Sequence, residues 1–206
     1  MLHPGTYYHI FNHANGDDNL FREEKNYSFF LQKYQLHIDP ISDTIAWSLM
    51  PNHFHLLVRI KDVDALLLLK DLQKFKTLEG LVNDEIKLSH LLSKQFSNFF
   101  SSYSQAFNKV YQRKGSLFIK NFKRKEVANN IYLNHLIIYI HLNPVRHGFT
   151  NAINSWPWTS YFDFWGKQNS LAQQLFNTEE DYIQMHIEKQ TQFAEYKYLE
   201  TDILTS

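Results

Sequence analysis

The chain has 206 residues, with 21 basic and 21 acidic side chains, 44% hydrophobic and 20% charged residues, and no cysteine. This is the composition of a soluble folded protein, and it excludes intrinsic disorder, disulfide scaffolds, thiolate metal sites and cysteine nucleophiles. The first residues lack the basic-then-apolar pattern of a signal peptide, and no apolar run approaches the roughly 20 residues that span a bilayer, so a cytoplasmic location without membrane contact is expected.

Residues 6–13 (TYYHIFNH) are rich in aromatic and β-branched side chains and predict a strand that ends near Asn15-Gly16. A loop over 17–22 leads to a helix from Glu23 to about His37, with apolar residues at Tyr27, Phe30, Leu31 and Tyr34, stopped by Asp39-Pro40. Residues 44–50 and 53–60 read as two strands joined by the turn Pro51-Asn52. Asp62 or Asp64 caps the next helix, which runs through ALLLLKDLQKF. Residues 78–92 read as a helical insertion. Phe96, Phe99, Phe100, Tyr103, Phe107 and Tyr111 then form the stripe of a long helix over 93–111. Residues 116–119 are a short strand candidate, and Asn129 or Asn130 caps a helix that runs to Leu142 and stops at Asn143-Pro144. Beyond Gly166 only 179–198 reads as helix. Strand, helix, hairpin, helix, strand, helix predicts an α+β sandwich, a mainly antiparallel sheet with helices on one face.

The net charge of zero conceals a segregation. Residues 107–147 carry +7, whereas residues 167–206 carry −4. Lys120, Lys123, Arg124 and Lys125, with Arg113 and Lys114 less central, are interleaved with Phe118 and Phe122. Such a segment suits either a polyanion whose bases stack on aromatic rings or a solvated face over a core.

Within SLMPNHFHLLVRI, strand alternation puts Phe54, Leu56, Val58 and Ile60 on one face and His53 and His55 on the other, roughly 7 Å apart. Two neutral imidazoles side by side can share a divalent ion, or they can be hydrogen-bonded strand histidines. In NNIYLNHLIIYIHLNPVRHG, His135, Tyr139 and Asn143 recur every four residues on one helix face. The Asn143 amide oxygen is a candidate third ligand for a hard divalent cation, and the phenol of Tyr139 is a candidate nucleophile one turn away. Tyr132, roughly 10 Å further along the axis, is the rival, and a buried hydrogen-bonded tyrosine is the structural alternative.

Taken together, the MPNHFHLLV strand, the basic GSLFIKNFKRKEV stretch, YLNHLIIYIHLNPVRHGF and WPWTSY resemble the single-tyrosine HUH transposases, and among them the REP-associated tyrosine transposases. The likeness covers residues 5–166 and leaves the acidic segment outside, so the expected organisation is a domain over 1–166 and a partly helical tail over 167–206. The resemblance implies a ferredoxin-like sheet, with His53, His55 and Asn143 holding Mg²⁺ or Mn²⁺ and Tyr139 attacking single-stranded DNA to form a 5′-phosphotyrosine link. Lys120, Lys123, Arg124 and Lys125 would hold phosphates. It further implies a DNA hairpin beside the cleaved strand and a homodimer, and it gives His147 no chemical role. Two other classes stay open on the sequence: a nucleic-acid-binding module that keeps the site without turnover, and a metallo-hydrolase that joins the histidine pair to a carboxylate.

Overall fold

The computed structural model describes residues 1–68 and 85–191. Its centre is an antiparallel sheet of β1 (Tyr7–His13), β2 (Ser42–Met50), β3 (His53–Ile60) and β4 (Lys123–Glu126) in the order β2-β3-β1-β4. With α1 (Glu24–His37) between β1 and β2, and α3 (Glu85–Val110) between β3 and β4, this is the ferredoxin-like arrangement. A short α2 (Val63–Leu67) follows β3. Among the described residues no helix is long and apolar enough to cross a membrane.

Alternation along the two central strands separates two cores. Tyr8 and Ile10 of β1 and Phe54, Leu56, Val58 and Ile60 of β3 pack under α1 and α3, where Phe30 meets Phe99 and Tyr103 with ring centroids 4.7 and 5.1 Å apart. The opposite face carries His9 and His13 on β1 and His53, His55 and Leu57 on β3. The expected helix layer is therefore present on the first face, and a second helical layer covers the histidine face. It consists of α4 (Asn130–Arg146), which packs on Ile45, Ala46 and Leu57 through Leu133, Leu136, Ile137 and Ile140.

Several boundaries differ from the sequence expectation. The long helix starts at Glu85, and Leu88 and Leu92 continue the buried stripe of Phe96 and Phe99, so residues 85–92 belong to it; residues 69–84, which hold the rest of the expected insertion and of the ALLLLKDLQKF helix, lie outside the described residues. The edge strand is not 116–119, which makes only an isolated bridge from Phe118 to Ala14, but the charged KRKE of β4. An edge strand has one neighbour and can leave its charges in water, so it lacks the apolar alternation that marks a strand. Helix α4, capped by Asn129 accepting from the Tyr132 N–H at 2.8 Å, runs through Pro144 to Arg146. A proline near a helix end removes one hydrogen bond from a turn already short of them, and the helix absorbs it. Asn143 thereby stays on the helix face of Tyr139.

The acidic segment also does more than form a tail. Helices α5 (Tyr161–Lys167), α6 (Asn169–Phe176) and α7 (Glu179–Thr191) bury Phe164, Ala172, Phe176, Tyr182 and His186 against α4. A buried polar chain ties them down. The His186 Nδ1–H donates to the Tyr182 carbonyl at 2.7 Å, so its Nε2 accepts from His141 Nδ1 at 3.1 Å, and His141 Nε2 accepts from the Ser160 hydroxyl at 2.9 Å. Ser160 Oγ in turn accepts the Trp47 N–H of β2 at 2.8 Å. Up to residue 191 this segment is part of the fold; residues 192–206 lie outside the described ones.

Candidate functional site

The pairing of β1 with β3 sets His13 opposite His53 and Phe11 opposite His55, and the pairing of β2 with β3 sets Ser48 opposite His55. Opposed residues in an antiparallel ladder point to the same side, so these groups share the face covered by α4. His9, His53, His55, Tyr139 and Asn143 are all buried. The rings of His13 and His53 stack at 4.5 Å and 5°, and His53 lies 5.4 Å from His55. Tyr139 meets His55 edge-on at 5.4 Å and His9 at 6.3 Å, while the Arg146 guanidinium carbon sits 5.1 Å from the tyrosine ring centre. Strand and helix thus bring these side chains together.

Hydrogen bonding assigns the nitrogens. His53 Nδ1–H donates to Asn52 Oδ1 at 2.7 Å, which leaves a lone pair on Nε2; 3.3 Å away lies Asn143 Oδ1, itself an acceptor. His55 Nδ1 and His9 Nε2 are 2.9 Å apart, and donation from His55 leaves a second lone pair on its Nε2. That buried Nε2, the Asn143 amide nitrogen and the Ser48 hydroxyl have no hydrogen-bond partner among the described residues. Lone pairs facing one another in a dry site are unfavourable unless a cation sits between them. Two imidazoles and one amide oxygen therefore fit a divalent ion, with His9 as the outer partner that orients His55. Among the described residues no three His, Cys, Asp or Glu side chains group as a metal site, so no carboxylate joins the two histidines there.

Burial keeps these imidazoles neutral. It holds His53 down to about 3, with His13 and His147 adding to the effect, and holds His55 well below the ordinary histidine value, with His9 adding. His13 is lowered for the same reason, with His147 second. Neutral imidazole is the form that binds a metal.

The other sequence candidates fall into groups. Tyr132 lies two turns before Tyr139 with Lys125 Nζ 5.4 Å from its ring centre, and His135 is half-buried one turn before it. Lys120, Lys123 and Arg124 line a groove of about 680 Å³ between α3 and residues 116–124, with Arg124 5.6 Å from the Phe122 ring centre. Lys114 and Lys125 are exposed. Arg113 is instead built into the fold: it donates to Asp18, to Asn108 Oδ1 at 2.9 Å and to the Ser116 carbonyl at 3.3 Å. Sequence reasoning missed His9, His13, Arg146 and the place of His147, whose ring lies 4.7 Å from His53. For His9 and His13 the signal was the alternation of the first strand, where they sit four residues apart on one face.

No protein-family model matches the chain. In sequence it is similar to a Haemophilus influenzae protein provisionally named a REP-associated tyrosine transposase, with 25% identity over 121 residues, 58% of each chain. The chain thus spans little more than half the length of that relative. In fold it is similar to the structure of a REP-associated tyrosine transposase bound to a REP hairpin, with a TM-score of 0.58 and 15% identity over 79% of this chain and 81% of that one. The structural likeness is one of fold.

Proposed function

We propose that this chain is a metal-dependent single-stranded DNA endonuclease and strand transferase of the transposase kind. The observation that carries the reading is the convergence of His53, His55, Asn143 and Tyr139 in one buried site, from a strand and a helix some 90 residues apart. The relative's name supports a transposase reading, and the hairpin-bound neighbour supports a DNA hairpin as part of the substrate. His53, His55 and Asn143 would hold Mg²⁺ or Mn²⁺, which when bound polarises a phosphate and offsets its charge.

In this reading Tyr139 Oη bonds to phosphorus as the bond to the 3′-oxygen breaks. The products are a 5′-phosphotyrosine link and a free 3′-hydroxyl; the phenolic proton is lost and the leaving oxygen takes one up. Arg146, against the tyrosine ring, places a fixed positive charge beside the developing negative one. Within the chain the tyrosine meets His55 edge-on, 5.4 Å between ring centres. Tyr139 is fully buried, so the strand has to displace part of its cover to reach the hydroxyl. Lys120, Lys123, Arg124 and Lys125 position phosphates along the β4 edge.

The test is covalent capture. Wild type and Tyr139→Phe are mixed with labelled single strands and hairpins from the DNA flanking the gene, with Mn²⁺ or EDTA, and run on a denaturing gel. A shifted band that needs both Mn²⁺ and Tyr139 is expected. Binding without a band on any strand favours the non-catalytic module, and a band that survives in Tyr139→Phe moves the role to Tyr132.

A further inference from the structure

Next to the Pro51 turn between β2 and β3 the surface opens into a cleft of about 580 Å³ that Phe21, Tyr27, Phe149, Trp156 and Trp158 line together with polar residues. Phe149 links it to the histidines: its ring lies 6.3 Å from His53 and 6.0 Å from Trp156. The other rings are fixed in place. Trp156 Nε1–H donates to the Leu49 carbonyl at 2.9 Å, and Trp158 stacks on Tyr27 at 4.6 Å and 11°. Thr150 and Ser155 supply hydroxyls at the lining.

The charge of the cleft says what it can take. Its two acids, Glu23 and Glu24, repel phosphate. Among the described lining residues the cation is Arg22, which is bonded to Asp18 at 3.0 Å and lies over the Tyr111 ring, so it is already committed. A neutral, planar group with polar edges satisfies this lining, and the volume suits a small ligand. The sheet order puts the basic β4 at the opposite edge from β2, so a strand crossing the histidines would leave phosphates on one side and reach the rings on the other. We infer that this cleft receives an unpaired nucleobase next to the phosphate held at His53, stacked on Phe149; the inference rests on the DNA reading above.

The probe is a hairpin oligonucleotide from the DNA flanking the gene, with 2-aminopurine placed at each unpaired position in turn. Stacking in the cleft quenches one position on binding to wild type. In Phe149→Ala that quench is lost and affinity for the tailed hairpin falls about tenfold, while affinity for the hairpin without its tail is unchanged. Phe149→Trp keeps a stacking face and restores both, and its recovery excludes misfolding as the cause. Binding with no position quenched, or quenching that survives in Phe149→Ala, overturns the inference and leaves the DNA reading standing. No binding of any strand overturns both.

Discussion

Acid should loosen the attachment of the C-terminal helices through the buried His141–His186 pair. Burial lowers His186 to about 4 and lowers His141 well below the ordinary value of 6.5. In the unfolded chain these imidazoles bind protons near pH 6.5; in the fold they do not until much lower pH. The unfolded state thus takes up protons first, so the stability is fully present above about pH 6.5 and is lost as the pH falls toward and through 4. For His186 alone a shift from 6.5 to about 4 corresponds to about 3 kcal/mol in full, of which about 2 kcal/mol is lost between pH 7.5 and pH 5. Replacing His186 by Gln keeps an amide that can donate to the Tyr182 carbonyl and accept from His141, but it cannot be protonated. The assay is urea unfolding followed by tryptophan fluorescence at the two pH values, for wild type and His186→Gln. His53, held down to about 3, loses stability in the same direction in both proteins and cancels in the comparison. The variant should lose about 2 kcal/mol less than wild type on acidification. Equal losses would show that the pair is not the acid-sensitive joint.

His53→Ala and His55→Ala should each abolish Mn²⁺-dependent cleavage and leave hairpin binding within a few-fold, measured by gel shift; unchanged cleavage would sink the metal assignment. His9→Phe removes the partner of His55 Nδ1 and should weaken Mn²⁺ binding about 10- to 100-fold by titration, since outer partners of ligating histidines carry that much. Neutralising Lys123 and Arg124 together should reduce the slope of log affinity against log salt by about 2. Arg113→Met should instead lower the unfolding midpoint and leave the salt slope intact, because its guanidinium is spent on Asp18, Asn108 and Ser116.

The elements with strong period and clear stops were readable from the chain alone. The β2–β3 hairpin and α1 came out within a residue or two because Pro51-Asn52 and Asp39-Pro40 punctuate them. The site pair of strand and helix was readable for the same reason: alternation and the i+4 rule are local geometry. What escaped was decided by partners distant in sequence. Strand β4 is charged because only β1 pairs with it, and that follows from the sheet order, not from KRKE. Arg113 looks like any other basic residue until Asp18 is folded beside it. Of the three C-terminal helices, α7 was expected within 179–198, whereas α5 and α6 are only seven and eight residues long and bury little beyond Phe164, Ala172 and Phe176. His147 acquired a neighbour, His53, that lies 94 positions earlier.

Charge is divided in space here, and that division bears on how the site works. The imidazoles that face Tyr139 and Asn143 are neutral, so at neutral pH the ligand set itself carries no positive charge. If a polyanion binds as proposed, its salt dependence should follow the lysines and arginines of the β4 edge and not the histidines. In the proposed reading a phosphate that reached the buried site would meet Arg146 beside the Tyr139 ring. Two imidazoles and an amide are neutral ligands, so a divalent ion held by them keeps its whole charge toward the phosphate. A carboxylate in place of Asn143 would bind the ion more tightly but cancel part of that charge. In the proposed reading the amide would therefore favour polarising the phosphate over holding the metal tightly.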